Sequence, residues 1–307
     1  MSRVAVVQAG PVIGDTAATV AKAEKLIGEV GKNGAAVAVF PEAFVGGYPK
    51  GQSFDTVVGT RTSLGREEYR EYFDGAVSLD GPEIEALTLA SEEAGVFVVI
   101  GVIERFGDTL YCTAVMIDPK AGVVGNHRKL MPTASERLIW GFGDGSTLDV
   151  ADTEAGRVGT AICWENYMPL LRQAMYAQGV DLYCVPTVDD RPVWQATMTH
   201  IALEGRNFVL AACQALPKSA YPEGTEFPPH VGNENWLIRG GSVIIDPLGN
   251  VLAGPSYEEE TILYADVDLA DRTRSHFDLD VNGHYGRPDV FELRVNTRPN
   301  QGTIFTS

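Results

Sequence analysis

Apolar and polar positions switch between a period of two and a helical period along most of the chain. Near the amino terminus, "VAVVQA" is a short apolar run rich in β-branched residues and predicts a strand. Asp15 stands where a helix N-cap is expected. It precedes a stripe of Ala18, Val20, Ala23, Leu26 and Ile27, which predicts a helix to about Gly31. "AAVAVF" predicts a buried strand, residues 65–76 and 82–94 two helices, and "VFVVIGVIERF" and "TLYCTAVMIDP" two more strands. Gly107 and Asp108 between those last two are an antiparallel hairpin signal.

The second half continues in the same way. "GRVGTAIC" predicts a strand, 168–178 a helix with Pro169 in its first turn, and "DLYCVPTV" a strand. A helix at 192–204 and the strands "NFVLAACQ", "GSVIIDP" and "TILYADVD" follow. "MIDPKAGVVG" and "IIDPLGNVLAG" share an Asp-Pro turn between apolar runs, which is either ordinary turn chemistry or an echo of two related β-turn-β units. No linker or low-complexity run interrupts the chain. These features predict one α/β domain with a layered mixed sheet over residues 1–270. A tail, 271–307, is rich in Arg, Asp, Asn and Gly and is expected to contact a partner or to be partly disordered.

Composition narrows the class. The 307 residues are 45% hydrophobic and 21% charged, as in soluble globular proteins, with no apolar run of about 18 residues to span a bilayer. "MSRVAVVQAG" lacks the apolar core of a signal peptide, so a cytoplasmic protein is expected. A net charge of −17 argues against nucleic acid or an anionic membrane as partner.

Candidate chemistry is sparse. G-x-S-x-G, Walker A and G-x-G-x-x-G motifs are absent, and "GFGDGS" (141–146) reads as a plain turn. The cysteines Cys112, Cys163, Cys184 and Cys213 have no zinc-ligand spacing, so no metal is expected. Three of them sit in strand contexts that suit inert core packing. Cys163, in "GTAICWENYM", differs because an acid and an amide follow it almost at once.

Two further elements share this strand-end character. "AAVAVFPEAFVGGYP" places Glu42 after a wholly apolar strand, and "VVGNHRKLMPTASERLIWG" places Lys129 and Glu136 on either side of a Pro-containing bend. A thiol, a carboxylate and an ammonium can form an activated nucleophile. Moving a proton from a free thiol to a free glutamate is uphill by about 4 pKa units, roughly 6 kcal/mol. Burial raises the carboxylate and a neighbouring lysine lowers the thiol, so both close that gap. The lysine and the backbone N–H of Trp164 can also stabilise anionic character on a substrate atom.

"FPEAFVGGYPKG", "HRKLMPTASERLIWGFGDGSTL" and "GTAICWENYMPLLR", in this order, resemble the glutamate, lysine and cysteine motifs of the nitrilase branch of the nitrilase superfamily. "HYGRPDVF" near the carboxyl terminus is similar to a trait of the same branch. The resemblance implies a four-layer α-β-β-α sandwich assembled into dimers, with spirals or filaments in some members. It implies Glu42 as general base, Lys129 as stabiliser of the tetrahedral intermediate, Cys163 as nucleophile and Glu136 as a supporting glutamate. The implied reaction converts a small-molecule nitrile to the carboxylic acid and ammonia through a thioimidate and a thioester, without metal or cofactor, with amide as a by-product. Alternatives are an amidase or N-carbamoyl amide hydrolase on the same residues, a cyanide-hydrolysing enzyme, or an inactive scaffold homologue. Phe44, Ala134, Trp164, Tyr167, Pro186, Val188, Val193 and Trp194 are expected near the substrate, and their aromatic share leans towards aromatic or arylaceto-nitriles.

Overall fold

The structure, a computed structural model, describes residues 1–300. The first half of the chain supplies β1 (Ser2–Gln8), α1 (Thr16–Lys32), β2 (Ala35–Val39), α2 (Ser63–Asp74), α3 (Pro82–Ala94), β3 (Phe97–Phe106), β4 (Thr109–Asp118) and β5 (Gly122–Arg128). The second supplies β6 (Val150–Thr153), β7 (Gly156–Thr160), α4 (Pro169–Ala177), β8 (Leu182–Thr187), α5 (Trp194–Gly205), β9 (Phe208–Cys213), β10 (Ala215–Pro217), β11 (Trp236–Ile245), β12 (Val251–Tyr257), β13 (Thr261–Val267) and α6 (Ala270–His276). One sheet runs β13-β1-β2-β3-β4-β5; the other runs β10-β11-β9-β8-β7-β6, with β12 paired to β11.

Local chemistry explains most of the element boundaries. Asp15 Oδ1 accepts the amide of Ala18 at 2.8 Å and caps α1 as expected. Thr62 caps α2 through Gly65, which starts that helix two residues before the predicted position. Pro82 occupies the first turn of α3, and Gly95 ends it in the left-handed conformation with φ of 67°. The hairpin at Gly107 and Asp108 joins β3 to β4, with Phe106 opposite Thr109. The two Asp-Pro turns close the β4–β5 and β11–β12 hairpins, one in each sheet. In both, the aspartate accepts downstream amides: Asp118 Oδ1 from Lys120 and Ala121, Asp246 Oδ1 from Leu248 and Asn250.

Alternation along the strands sorts side chains into layers. On β1, Val4 and Val6 enter the core between the sheets, while Ala5 and Val7 face α1 and α3. The second sheet does the same: Cys184 and Leu210 point inward, whereas Tyr183 and Val209 pack with α4 and α5. The result is the expected α-β-β-α sandwich. Two buried glutamines tie its sheets together: Gln8 Oε1 accepts the amides of Gly241 and Ser242, and Gln214 Nε2 donates to the carbonyls of Glu42 and Ala43. No helix among the described residues is long and apolar enough to cross a membrane. Beyond α6, residues 277–300 are mostly exposed, and Gln173 meets Asn282 while the Asn300 amide meets Asp144.

The parallel strands β1-β2-β3 and β7-β8-β9 place their carboxyl ends where candidate residues cluster. Gly101 on β3 makes that end compact, because a Cβ there would lie 2.3 Å from the Pro41 carbonyl oxygen and 2.7 Å from Glu42 Cα. Overpacking of this kind costs about 1–3 kcal/mol. Gly101→Ala is therefore expected to lower the thermal unfolding midpoint by several degrees, and an unchanged midpoint would contradict this packing.

Candidate active site

Glu42 leaves β2 through a segment pinned to β3: Phe40 N–H donates to Val99 O at 2.7 Å, and Gly101 N–H to Pro41 O at 3.2 Å. Ala43 follows with φ of 49°, an uncommon left-handed turn for a non-glycine residue. Glu42 is fully buried. Its Oε1 accepts Lys129 Nζ at 2.6 Å, and its Oε2 is buried with no hydrogen-bond partner. Burial raises its pKa above the usual carboxylate value, against the lowering influence of Lys129.

Lys129 follows directly on β5 and is held by its own backbone, donating N–H to Cys112 O at 2.8 Å and accepting from Gly143 N–H at 2.9 Å. Its Nζ donates to Glu42 and, at 2.8 Å, to Glu136 Oε2. Burial opposes the ammonium, yet the facing Glu42 carboxylate and its neighbours outweigh that and raise the lysine pKa well above normal. Glu136 sits on a 3-10 turn, Ala134–Leu138. Its Oε2 also accepts the Thr133 amide at 2.6 Å, and its Oε1 accepts the Tyr48 hydroxyl at 2.7 Å. Burial, reinforced by Glu136, raises the Tyr48 pKa well above normal, so Tyr48 remains a donor. The ring of Trp140 lies 5.7 Å from Lys129 Nζ, and α2 covers this side through the Tyr72 hydroxyl.

Cys163 departs from its predicted setting. The strand stops at Thr160, three residues early, and Cys163 has φ of 49° at the start of a 3-10 turn, Cys163–Tyr167. Helix α4 begins only at Pro169. This bend lifts Sγ off the sheet end as an elbow. Thr187 Oγ1, itself fixed by the Asp189 amide at 3.0 Å, donates to Sγ at 3.1 Å. Burial and the Glu42 carboxylate push the thiol pKa far up, against Lys129, so the resting group is S–H.

Glu165 and Asn166 hold the elbow. Glu165 Oε1 accepts the Ile162 amide and His127 Nε2, the latter at 2.7 Å, while Oε2 accepts the Leu130 amide at 2.9 Å. His127 Nδ1 faces Thr147 O at 3.0 Å, so both ring nitrogens face acceptors, an arrangement that favours the imidazolium. The pair buckles the lysine-bearing strand to the cysteine-bearing turn. Asn166 Nδ2 donates to the carbonyls of Ala161 and Cys163, both at 2.9 Å, and its own carbonyl accepts Arg172.

A cavity of about 190 Å³ opens beside Cys163, lined among others by Tyr48, Glu136, Trp164, Val188 and Asp189. Trp164 Nε1 donates to Asp189 Oδ2 at 2.7 Å, and Arg191, paired to the same carboxylate, lies 4.8 Å from the Trp164 ring. Trp164 and Val188 thus meet the cavity, and Ala134 adjoins it next to the lining residue Thr133. The other expected positions do not line it. Phe44 turns after Ala43 into the helix-side core beside Phe40, Pro186 is buried within β8, and Val193 is exposed. Trp194 is buried with α5, and Tyr167 packs edge-on between Trp164 and Trp194. Tyr48, Thr187, Asp189 and Gln214 lie outside the sequence-based expectation; the polar run "TVDDR" straight after an apolar strand is the signal for two of them. Among the described residues, no group of three or more His, Cys, Asp and Glu side chains is placed to hold a metal.

The buckle has a pH signature. Burial opposes the charge on His127, but Glu165 raises its pKa above the ordinary 6.5; burial likewise opposes the charge on Glu165, but His127 lowers its pKa below 4.5. The histidine contribution is complete below about pH 6.5 and is lost as pH rises through the folded value. The glutamate contribution is complete above about pH 4.5 and is lost as pH falls through its folded value. Glu165→Gln is expected to cost about 3 kcal/mol and to flatten the alkaline loss of stability, measured by thermal unfolding between pH 5 and 9.

Residues 3–276 match the carbon-nitrogen hydrolase family. An aliphatic nitrilase of Sinorhizobium fredii is 56% identical, covering 98% of each chain. A bifunctional nitrilase/nitrile hydratase of Lupinus angustifolius is 52% identical over 99% of this chain and 89% of that protein. The fold is shared with a nitrilase-superfamily protein of Saccharomyces cerevisiae, at 18% identity and a TM-score of 0.70 over 92% of this chain and 96% of that one. From its sequence, the chain belongs to the carbon-nitrogen hydrolase family, in its nitrilase branch.

Proposed function

We propose that the protein is a nitrilase, converting an organic nitrile to the carboxylic acid and ammonia through covalent intermediates on Cys163. The observation that carries this reading is the Cys163 thiol at the cavity, facing the buried Glu42–Lys129–Glu136 group. Sγ attacks the nitrile carbon while the thiol proton passes to Glu42 and on to the nitrile nitrogen, forming a thioimidate. Lys129 stabilises the charge developing on nitrogen, and Glu136 with Tyr48 keeps the ammonium aimed. Glu42 then activates a water that adds to the thioimidate. Loss of ammonia leaves a thioester, which a second water hydrolyses to the acid. Loss of the thiol instead releases the amide, and the similarity to bifunctional nitrilase/nitrile hydratases supports amide as co-product here.

The raised pKa values of Glu42 and Cys163 suit this cycle. A buried carboxylate with raised basicity is a better acceptor for the thiol proton, and attack and proton transfer proceed together. The 56% identity to an aliphatic nitrilase supports aliphatic nitriles ahead of aromatic ones, and Tyr167 and Trp194 do not line the cavity. A homo-oligomer built on a dimer is supported by exposed Tyr285, Val290, Phe291 and Leu293 in the tail region 271–307. Four free, buried cysteines suit the reducing cytoplasm.

Ammonia release from aliphatic, arylaceto- and aromatic nitriles, matching amides and cyanide tests the reading. Turnover is expected to be highest with aliphatic nitriles, and faster turnover of amides would overturn it. Cys163→Ala is expected to reduce turnover by about 10⁴-fold or more with little change in unfolding temperature. Light scattering is expected to show a species of at least twice the chain mass, and a strict monomer would remove the assembly proposal.

A further inference from the structure

Cys112 is a fully buried cysteine of β4 that the reaction above does not employ. Its Sγ lies 3.6 Å from Glu42 Oε1 and donates to it. The same Oε1 accepts Lys129 Nζ at 2.6 Å, whereas Oε2 is buried without a partner. The Cys112 carbonyl also accepts the backbone N–H of Lys129, so one residue anchors the base by its side chain and the lysine by its main chain. Burial and the neighbouring Glu42 carboxylate push the Cys112 thiol pKa well up, and the group remains an S–H donor.

A carboxylate with two donors on one oxygen and none on the other has its orientation and its basic lone pairs assigned. We propose that Cys112 is a positioning residue: its S–H, with Lys129, holds Glu42 Oε1 and leaves Oε2 as the oxygen that takes the Cys163 proton and later activates water. In that step the Cys163 S–H bond breaks and an Oε2–H bond forms, while Cys112 keeps its proton throughout. This inference rests on the reading of Glu42 as the base for Cys163. A merely space-filling Cys112 would depend on volume, not on a donor.

Three variants separate the two. Cys112→Ser keeps a donor with a shorter reach, Cys112→Val keeps most of the volume without a donor, and Cys112→Ala keeps neither. A hydrogen bond to a charged acceptor corresponds to roughly tenfold in rate. Val and Ala are expected to lower kcat about tenfold with KM little changed, and Ser to retain most of kcat. Loss of a donor to the ionised carboxylate raises the Glu42 pKa, so the acid limb of kcat/KM moves to higher pH in Val and Ala only. The other groups facing Glu42, namely Lys129, Glu136, Tyr48 and Cys163, are the same in every variant. A substrate-free arm follows alkylation of Cys163 by iodoacetamide, read on its peptide by mass, with thermal unfolding to correct for the folded fraction. Slower alkylation in Val and Ala, with Ser close to the parent, supports the proposal even if no nitrile is turned over. Parent-like alkylation and pH profile in Val, or equal impairment in Ser and Val, overturns it while leaving nitrile hydrolysis intact.

Discussion

One buried ammonium between two carboxylates organises this molecule. Lys129 is fully enclosed, and its ammonium pairs with Glu42 and Glu136 away from water. Desolvating such a group costs several kcal/mol per ion and is tolerated only when the remaining lone pairs and protons are satisfied. The surroundings meet that demand: Tyr48 and the Thr133 amide on Glu136, Cys112 on Glu42, and the Trp140 ring near Nζ. Within the trio the unmet atom is Glu42 Oε2, the oxygen proposed to act as base.

That trio would have nothing to act on without the second sheet. Glu42, Cys112 and Lys129 come from the first sheet or its strand ends, and Cys163 and Thr187 from the second. Gln214 fastens the Glu42 turn across the interface, and the Glu165–His127 pair fastens the segment around Lys129 to the cysteine elbow. The groups proposed to react are therefore held by buried polar bridges between elements far apart in sequence. Left-handed backbone at Ala43, Ala134 and Cys163, one beside each motif, shows local strain retained where side chains must be aimed.

Electrostatics then sets the resting state. Burial and the Glu42 carboxylate keep the Cys163 thiol protonated, and in the proposed reaction Glu42 accepts that proton as the carbon–sulfur bond forms. A thiol stored in this form is less open to oxidation than a free thiolate. The mouth of the cavity is polar, with Trp164 and Arg191 both tied to Asp189.

The sequence by itself determined the layers and marked the strand-end residues that the site brings together. Period-two strands such as β1 and the capped stripe of α1 carry their own burial pattern, and Glu42, Lys129 and Cys163 stand at strand ends flanked by apolar residues. Local chemistry suffices for such features because each is decided within a few residues. Only the tertiary structure decided which side chains surround the thiol. Phe44 and Trp194 look like pocket residues by proximity in sequence, yet a left-handed turn and a helix-side packing face send them into cores. Tyr48, Cys112, Thr187 and Gln214 reach the site from separate elements, and no local pattern records contacts made across two sheets. Glu165 and Asn166 stand beside Cys163 in sequence, but their work as buckle and bracket depends on His127, Leu130 and the Ala161 carbonyl, which the fold alone brings together.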